Sequence, residues 1–315
     1  MWFQKMKKPI LALAPMADYT DSPFCDICRE VSGKNFVIFR EMVSSEAIVR
    51  NSEKTLKMCK FNKIQRPIVI QVFGSVPDIM SNAVKIIQSK YKPDGIDINM
   101  GCPVPKITNK NKAGAALMKD HERAIEIVKQ IRKDNPDVVL SAKTRLGWSS
   151  ENEIIEFAPK LEKAGIQLLT IHGRTKKQGY SGSANWDVIR KVKDVINIPI
   201  IANGDIRNAD DIKSCLKISS ADGVMIGRGA LGNPWVFSDG KVNLQERIDT
   251  IINHSKLHVK YFGEKSIVTF RKHLLFYFKY DKIGENINFS TKELRKKLVC
   301  VTSVEELEEI LNSII

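Results

Sequence analysis

Short apolar runs rich in β-branched residues recur along the first three quarters of the chain, bounded by glycine, proline or polar residues. Runs of this length and composition predict buried β-strands. They lie at 10–17, 35–43, 67–74, 95–101, 138–147, 168–175, 199–206 and 223–230. The pattern therefore predicts eight strands within the first 240 residues.

The segments between these runs have helical spacing. In "DHERAIEIVKQIRKD", Ile125, Val128 and Ile131 fall on one face of a helix. The segment 151–165 begins with acidic residues and ends at Gly165, as a helix does. Strands alternating with helices predict a parallel sheet covered on its outer face. Eight such units favour an α/β fold of the (β/α)8 (TIM) barrel type over an open doubly wound sheet.

Residues 241–315 contain no strand-length apolar run and predict helices only. We therefore place a barrel domain at 1–240 and a small all-helical domain at 241–315. From 241 to 300 there are thirteen Lys or Arg against six Asp or Glu. A solvated helix face accounts for this excess. An RNA-binding surface accounts for it equally, because "FRKHLLFYFKY" interleaves cations with aromatic rings.

The chain has 315 residues, 43% of them hydrophobic and 27% charged, with a formal net charge of +14. This charge suits a polyanionic partner. Six cysteines are too few for a disulfide scaffold and indicate a reducing compartment. The start is not a signal peptide, and no run approaches the roughly eighteen apolar residues of a membrane span. We expect a soluble cytoplasmic monomer that does not associate with membranes.

Nearly every predicted strand ends in a group of polar or unusual residues. In a barrel, the C-terminal ends of the strands build the active site, whereas any single polar residue there could simply begin a loop. The groups are Pro15-Met16-Ala17, Glu41, Gln71, Asn99 with Cys102, Lys143 with Arg145, His172 with Arg174, Asn203 with Asp205, and Gly227 with Arg228. Eight such groups together favour a site.

The segment "GRGALG" (227–232) matches the dinucleotide-binding pattern G-x-G-x-x-G. It follows the eighth strand rather than the first, and no βα unit with a ribose-binding acid comes after it. The position instead suits the phosphate site that barrels form after strands 7 and 8, with Arg228 adding a charged hydrogen bond.

Two pairs of residues have metal-like spacing without a complete ligand set. Cys25 and Cys28 form C-x-x-C without a second pair, so we expect packing thiols on the first helix. His254 and His258 are four residues apart but lack the Glu and third ligand of a metalloprotease, so we assign them to a helix face. No metal is expected.

Burying the Lys143 ammonium is unfavourable unless it pairs with an anion or serves a function. With His172 and Arg174 it predicts an electropositive pocket that stabilises an anionic ring or a developing enolate. Cys102, between Gly101 and Pro103, is open to three interpretations: a buried thiol, part of a metal site, or a reactive group at the barrel mouth. It lacks metal partners, and strand four carries it towards the mouth, which favours the last.

Taken together, these residues resemble the dihydrouridine synthases, flavin enzymes that reduce uridine in tRNA. The resemblance rests on "LAPMADYTDSPF", "VIQVFG", "DINMGCPVPK", "AKTRLGW", "TIHGRT", "PIIANGDI" and "GVMIGRGALGNPW", which occur in the family's order. The tract "RKHLLFYFKY" is similar to the bacterial B type. In two departures, Asp18 stands where Gly is expected and Cys25 where Arg is expected.

The resemblance implies the cofactor FMN, with NADPH as reductant. Lys143 and Gln71 would form hydrogen bonds with the polar edge of the flavin ring. Pro15, Met16 and Ala17 would lie along it. The remaining cofactor-binding residues implied are His172, Asn203, Gly204, Asp205, Gly227 and Arg228. Asn99, Arg145 and Arg174 are implied as substrate-binding residues.

The resemblance also implies the chemistry. A hydride from the flavin would reach C6 of a uracil turned out of the tRNA, expected in the D-loop, and Cys102 would deliver a proton to C5 as the catalytic acid. A free thiol, with a pKa of about 8.5, is mostly protonated at neutral pH. We also expect Lys106 and Lys110 to contact RNA phosphates from a flap. The rival interpretations are a dihydroorotate-dehydrogenase-like flavin barrel acting on a small molecule, and a non-catalytic RNA-binding protein.

Overall fold

The computed structural model describes residues 1–238, 242–278 and 290–314. Eight parallel strands close into a barrel in chain order, and the first pairs with both the second and the eighth. The predicted TIM barrel is therefore confirmed. The strands are β1 (Ile10–Leu13), β2 (Phe36–Ser44), β3 (Ile68–Phe73), β4 (Gly95–Met100), β5 (Leu140–Arg145), β6 (Leu168–His172), β7 (Ile200–Asn203) and β8 (Gly223–Ile226).

Helices connect the strands and cover the outside of the barrel. They are α1 (Ser22–Ser32), α2 (Ser45–Val49), α3 (Glu53–Met58), α4 (Pro77–Tyr91), α5 (His121–Asp134), α6 (Glu153–Ala164), α7 (Trp186–Lys193) and α8 (Ala209–Ser219). Side-chain N-caps fix several starts, among them Asp21 for α1, Asp120 for α5 and Asn208 for α8. The apolar faces of these helices pack on the strands in one large core.

The N-terminal end of the barrel is closed. The 3₁₀ helix Trp2–Lys5 places Trp2 and Phe3 in a second core with inward side chains such as Phe39. Trp2 lies against Gly95 at the start of β4, where an added Cβ would come 2.9 Å from the indole nitrogen. A ligand therefore has access from the C-terminal end of the strands, where the polar residues collect.

The C-terminal part contains α9 (Leu244–Phe262), α10 (Ile267–Tyr277), α11 (Thr291–Leu298) and α12 (Val304–Asn312), with a core of its own. Between 242 and 314 the described residues are helical or irregular, as predicted. The boundary drawn at 240 falls outside the described residues. Glu30 on α1 accepts a hydrogen bond from Asn253 on α9, which joins this part to the barrel.

Three aromatic rings of the predicted RNA-binding tract are buried. Phe270, Tyr277 and Phe278 are almost fully buried in the core of the helical part. Arg271 donates to the carbonyl oxygens of Cys300 and Val301. Base stacking on these three rings is therefore ruled out, and the end of the predicted tract, 279–280, lies outside the described residues. The exposed cationic side chains of the helical part are available for RNA contacts.

The buried histidines sit where α9 and α10 meet α1. His254, His258 and His273 are buried around Asp21, and burial lowers the pKa of each imidazole below its usual range. Ligand atoms of Asp21, His254 and His273 lie within 4.8 Å of one another. His254 and His258 thus occupy the buried face of α9.

Cys25 and Cys28 are fully buried on α1, which confirms that they are packing thiols. Burial raises the pKa of both thiols, so both are protonated and unreactive at neutral pH. Among the described residues, no helix is long and apolar enough to cross a membrane.

Candidate active site

Side chains from neighbouring strands meet at the C-terminal mouth of the barrel. The strand register pairs Gln71 with Asp97, Asn99 with Lys143, and Lys143 with Thr170. Further around the barrel, His172 pairs with Asn203. The strands thus bring residues that are distant in sequence into one polar layer, as predicted.

Cys102 lies in the loop after β4 and is half-buried. The amide oxygen of Asn99 accepts hydrogen bonds from the N–H groups of Gly101 (3.1 Å) and Cys102 (2.9 Å). Arg145 Nε donates to the carbonyl oxygen of Gly101 at 2.7 Å. Burial raises the pKa of the Cys102 thiol above its usual value. The loop is therefore held at both ends of the Gly101–Cys102 peptide, and the thiol is protonated at neutral pH.

Asn99 is itself oriented by Gln71. The amide nitrogen of Asn99 donates to Gln71 Oε1 at 2.7 Å, and both side chains are buried. The Asn99 amide therefore connects an inward residue of β3 to the backbone of the Cys102 loop.

Lys143 points into the mouth from β5 and is half-buried. Within the described residues its ammonium forms no hydrogen bond or ion pair. Burial, together with the charge of Arg145, lowers its pKa to about 8. Next to it on β6, the hydroxyl of Thr170 is buried without a hydrogen-bond partner. A cation without an acceptor and an unpaired buried hydroxyl on adjacent strands indicate a place for a polar ligand.

His172, at the end of β6, is buried and neutral. Burial, with Lys143 and Arg145 nearby, lowers its pKa well below the usual range. An added Cβ on Gly204 would come 2.9 Å from the His172 ring. The φ of Gly204 is +117°, which also favours glycine. Because the β7 loop passes so close to His172, a larger residue at 204 would displace the ring.

Arg145 and Arg174 are both buried, with only 2% of each side chain exposed. Arg145 donates to Thr175 O and Gly179 O as well as to the Cys102 loop. Arg174 donates to Ser181 O at 3.0 Å and forms a 2.7 Å ion pair with Asp205. Their guanidinium groups hold the loop after β6. The predicted substrate contact of Arg145 and Arg174 stays a prediction.

The loops after β7 and β8 carry the predicted phosphate-binding residues. Asn203 donates to Met225 O at 2.7 Å and so joins the ends of these strands. Arg228 is exposed just after β8, 3.8 Å from an oxygen of Asp205. Gly227 is half-buried beside Met16, whose sulfur would lie 3.6 Å from an added Cβ. Arg228 therefore keeps a solvent-facing guanidinium for an anion.

The loop after β1 lies next to this cation. Pro15 and Met16 are half-buried and Ala17 is exposed, so an apolar edge faces the mouth. Asp18 has a φ of +65°, in the left-handed region that glycine adopts readily. Its N–H donates to Glu41 Oε2 at 3.0 Å. An aspartate tolerates this conformation, so the departure from the expected Gly keeps the turn.

Sequence reasoning missed Tyr180 as a site residue. Its ring is 60% exposed in the loop after β6, 4.5 Å from the Arg228 guanidinium and 6.2 Å from the His172 ring. The sequence signal was a lone aromatic residue in the Gly- and Ser-rich segment "QGYSGS". Lys106 and Lys110 are exposed on a short π-helical turn beyond Cys102, and their contact with RNA stays a prediction.

With the geometry established, comparisons with known proteins identify the family. The sequence model described as "Dihydrouridine synthase (Dus)" matches residues 12–314. The chain belongs to the dihydrouridine synthase family. It is 39% identical over 267 residues to a probable tRNA-dihydrouridine synthase of Aquifex aeolicus, covering 82% of this chain and 83% of that protein. It is 38% identical to tRNA-dihydrouridine synthase B of Pasteurella multocida, over 84% and 82% of the two chains.

Solved structures also share the fold of this dihydrouridine synthase. One is a 2-naphthoyl-CoA reductase complex, which aligns with a TM-score of 0.55 at 14% identity and covers 72% of this chain and 49% of that one. Histamine dehydrogenase from Rhizobium sp. 4-9 gives a TM-score of 0.52 at 13% identity, covering 78% of this chain and 48% of that one. This chain therefore spans about half the length of either structure. At this level of identity the likeness supports the barrel fold alone.

Proposed function

We propose that this protein reduces uridine to 5,6-dihydrouridine in tRNA, with FMN as cofactor and NADPH as reductant. Family membership over residues 12–314 and the tRNA-dihydrouridine synthases among the relatives support the reaction. One observation of the structure carries the proposal. A protonated thiol, Cys102, is held at the barrel mouth near Lys143, close enough for that ammonium to act on its pKa, and the ammonium has no hydrogen-bond or ion-pair partner among the described residues.

The barrel mouth fits FMN. Lys143 and the unpaired hydroxyl of Thr170 provide a cation and a hydrogen-bonding group for the polar edge of the ring. Gln71 lies in the same layer. The residues proposed to line the ring and to hold the ribityl chain and phosphate are Pro15, Met16, Ala17, His172, Asn203, Gly204, Asp205, Gly227 and Arg228. When bound, FMN reduced by NADPH supplies the hydride that adds to C6 of the uracil.

The protein's own residues supply the proton and the geometry. Hydride addition leaves carbanion character at C5, and Cys102 donates the proton there. The raised pKa of the thiol keeps it in the acid form at neutral pH. Arg145 fixes the carbonyl of Gly101, next to Cys102, and Arg174 fixes the following loop through Asp205. We therefore assign Arg145 and Arg174 to loop positioning, and Asn99 to orienting the Cys102 loop beside the base.

The tRNA would lie across the mouth and the helical part. Lys292 and Lys297 on α11 are exposed and available to phosphates, whereas the exposed Lys296 pairs with Glu293 at 2.8 Å. Because the target base is stacked within folded tRNA, it must be turned out to reach Cys102. The exposed ring of Tyr180 beside the mouth suits stacking against that base.

The test uses purified protein, NADPH and tRNA that lacks dihydrouridine, with nucleoside mass spectrometry as the readout. Wild-type protein should be yellow and should form dihydrouridine. Cys102→Ala should bind flavin normally and lose about 10²–10⁴-fold in the rate of uridine reduction, the usual contribution of a positioned acid. Cys300→Ala removes an exposed thiol elsewhere and is the matched control. Wild-type protein that holds flavin but leaves every uridine unchanged would refute the proposal.

A further inference from the structure

A continuous chain of hydrogen bonds runs from the barrel interior to Cys102. Ser141 donates to Asp97 Oδ1 at 2.6 Å, and Gln71 Nε2 donates to Asp97 Oδ2 at 2.7 Å. Asn99 Nδ2 then donates to Gln71 Oε1 at 2.7 Å, and Asn99 Oδ1 accepts from the Cys102 N–H at 2.9 Å. Asp97 is fully buried, and these side chains connect it by hydrogen bonds to the backbone of Cys102.

Donor and acceptor chemistry allows this series of hydrogen bonds only one direction. An ionised carboxylate accepts hydrogen bonds and donates none. Gln71 must therefore present its NH2 group to Asp97, which leaves its oxygen for Asn99. Asn99 must then present its own NH2 group to Gln71, which leaves its oxygen for the N–H of Cys102. If either amide flipped, two donors would face each other at one of these contacts.

A carboxylate in this position requires an explanation beyond packing. Burying an ionised acid is unfavourable unless it is hydrogen-bonded and compensated by charge. Burial raises the pKa of Asp97 to about 6, while Gln71, Ser141 and the charge of Lys143 oppose the rise. An apolar side chain would fill the same space without this cost. The series of hydrogen bonds that starts at Asp97 ends at the backbone N–H of Cys102, the proposed catalytic acid.

We propose that Asp97 is a positioning residue for Cys102, acting through Gln71 and Asn99 by imposing a single orientation on both amides. This inference rests on the proposed function for its effect on uridine reduction. Its effect on the Cys102 loop itself does not depend on the substrate. A protonated Asp97 no longer imposes the orientation, because its hydroxyl can donate to Gln71 Oε1.

The experiment compares Asp97→Leu and Asp97→Asn with Ser141→Ala in flavin-loaded, full-length protein. Asp97→Leu removes the acceptor at nearly constant shape. Asp97→Asn can still offer an oxygen to Gln71 and an NH2 group to Ser141, so it is the conservative variant. Ser141→Ala removes the other partner of Asp97 but leaves the chain to Cys102 intact, and it is the matched control.

The first readout needs no tRNA. Alkylation of Cys102 by iodoacetamide is followed by peptide mass spectrometry, with the exposed Cys300 of the same molecule as internal reference. In Asp97→Leu the ratio of the two rates should change about tenfold, because the loop loses its anchor. Ser141→Ala and Asp97→Asn should stay within about twofold of wild type.

The second readout is the single-turnover rate of uridine reduction by pre-reduced protein. Asp97→Leu should lower this rate about tenfold or more, and by more than it changes flavin reduction by NADPH. In wild type the rate should fall below about pH 6, where Asp97 gains a proton, and Asp97→Asn should lack this fall. Lys143 is the charged group facing Asp97, with Cys102 and Arg145 beside Lys143. Lys143 and Cys102 titrate above this window, and Arg145 keeps its charge.

The outcomes separate the two proposals. If wild type does not reduce uridine, the proposed function fails, and the alkylation ratios still decide the role of Asp97. If Asp97→Leu alkylates at the wild-type ratio, Asp97 does not position Cys102. If Asp97→Leu does not fold, the pH profile of uridine reduction by Asp97→Asn decides whether Asp97 positions Cys102. A wild-type fall below pH 6 that persists in Asp97→Asn overturns the inference, and its loss supports it.

Discussion

Replacing Lys143 with methionine should stabilise the protein while it damages the site. In the flavin-free protein the ammonium has no acceptor among the described residues, and its pKa is lowered from 10.5 to about 8. A shift of this size corresponds to about 3 kcal/mol against the charged form, at about 1.4 kcal/mol per unit. Because the side chain is half-buried, solvent screening reduces this value, and we expect a gain of about 1–3 kcal/mol in Lys143→Met.

The pH dependence of the stability difference tests the direction of the predicted effect a second time. Below pH 8 Lys143 is charged in both the folded and unfolded states, so the full penalty is present. Between pH 8 and 10.5 the unfolded chain keeps the proton and the folded protein releases it, so wild-type stability rises towards that of the variant. The difference between the two proteins should therefore be largest at pH 7 and nearly absent at pH 10.5.

The assay is urea unfolding of flavin-free wild type, Lys143→Met and Lys106→Met, followed by circular dichroism at several pH values. Lys106 is exposed near the same mouth and serves as the control, with an expected change of less than about 0.5 kcal/mol. Titration with FMN should show weaker binding to Lys143→Met. A variant that is no more stable than wild type at pH 7, or a difference that persists at pH 10.5, would refute the reasoning.

Two further predictions concern the arginines that share Asp205. Arg174→Ala should lower the free energy of unfolding by about 2–4 kcal/mol in urea titrations, because it breaks a buried 2.7 Å ion pair; a loss below about 0.5 kcal/mol would contradict this. Arg228→Gln should leave stability within about 0.5 kcal/mol, because this guanidinium is exposed and 3.8 Å from the carboxylate. It should nevertheless weaken FMN binding about tenfold in fluorescence titrations and leave riboflavin binding unchanged, since riboflavin lacks the phosphate.

The barrel could be predicted from sequence because buried parallel strands leave a strong signal. The run 95–101, for example, is apolar apart from Asp97 and Asn99, and the structure places β4 at Gly95–Met100. Alternation along a strand sends residues 97, 99 and 101 to the same side. The mouth residues could therefore be named before their neighbours were known. Their partners could not, because partners depend on the register between strands.

Arg145 and Arg174 illustrate what the sequence could not supply. Both stand at strand ends, where an arginine suits either an anionic ligand or the support of a loop. Their acceptors include the carbonyl oxygens of residues 101, 175, 179, 181 and 182, together with Asp205. Backbone acceptors leave no trace in a sequence, because every residue has a carbonyl. In the same way, the sequence of the α10 tract interleaves aromatic and cationic residues, and only the packing of the helix shows that Phe270 and Tyr277 belong to the core.

Burial determines which charges remain in the mouth. It raises the pKa of Cys102 and lowers that of His172, so both are neutral at pH 7. Arg174 is neutralised by Asp205. Arg145 keeps its charge but is held by backbone carbonyl oxygens. Lys143 on β5 and Arg228 beyond β8 are the cations left available to a ligand, the first without a hydrogen-bond or ion-pair partner among the described residues and the second exposed. Two cations on different strands suit a ligand with an electron-rich ring at one end and a phosphate at the other. In the proposed function, the neutral thiol beside the first cation serves as an acid rather than a nucleophile, in keeping with reduction of a bound base rather than covalent attack on it.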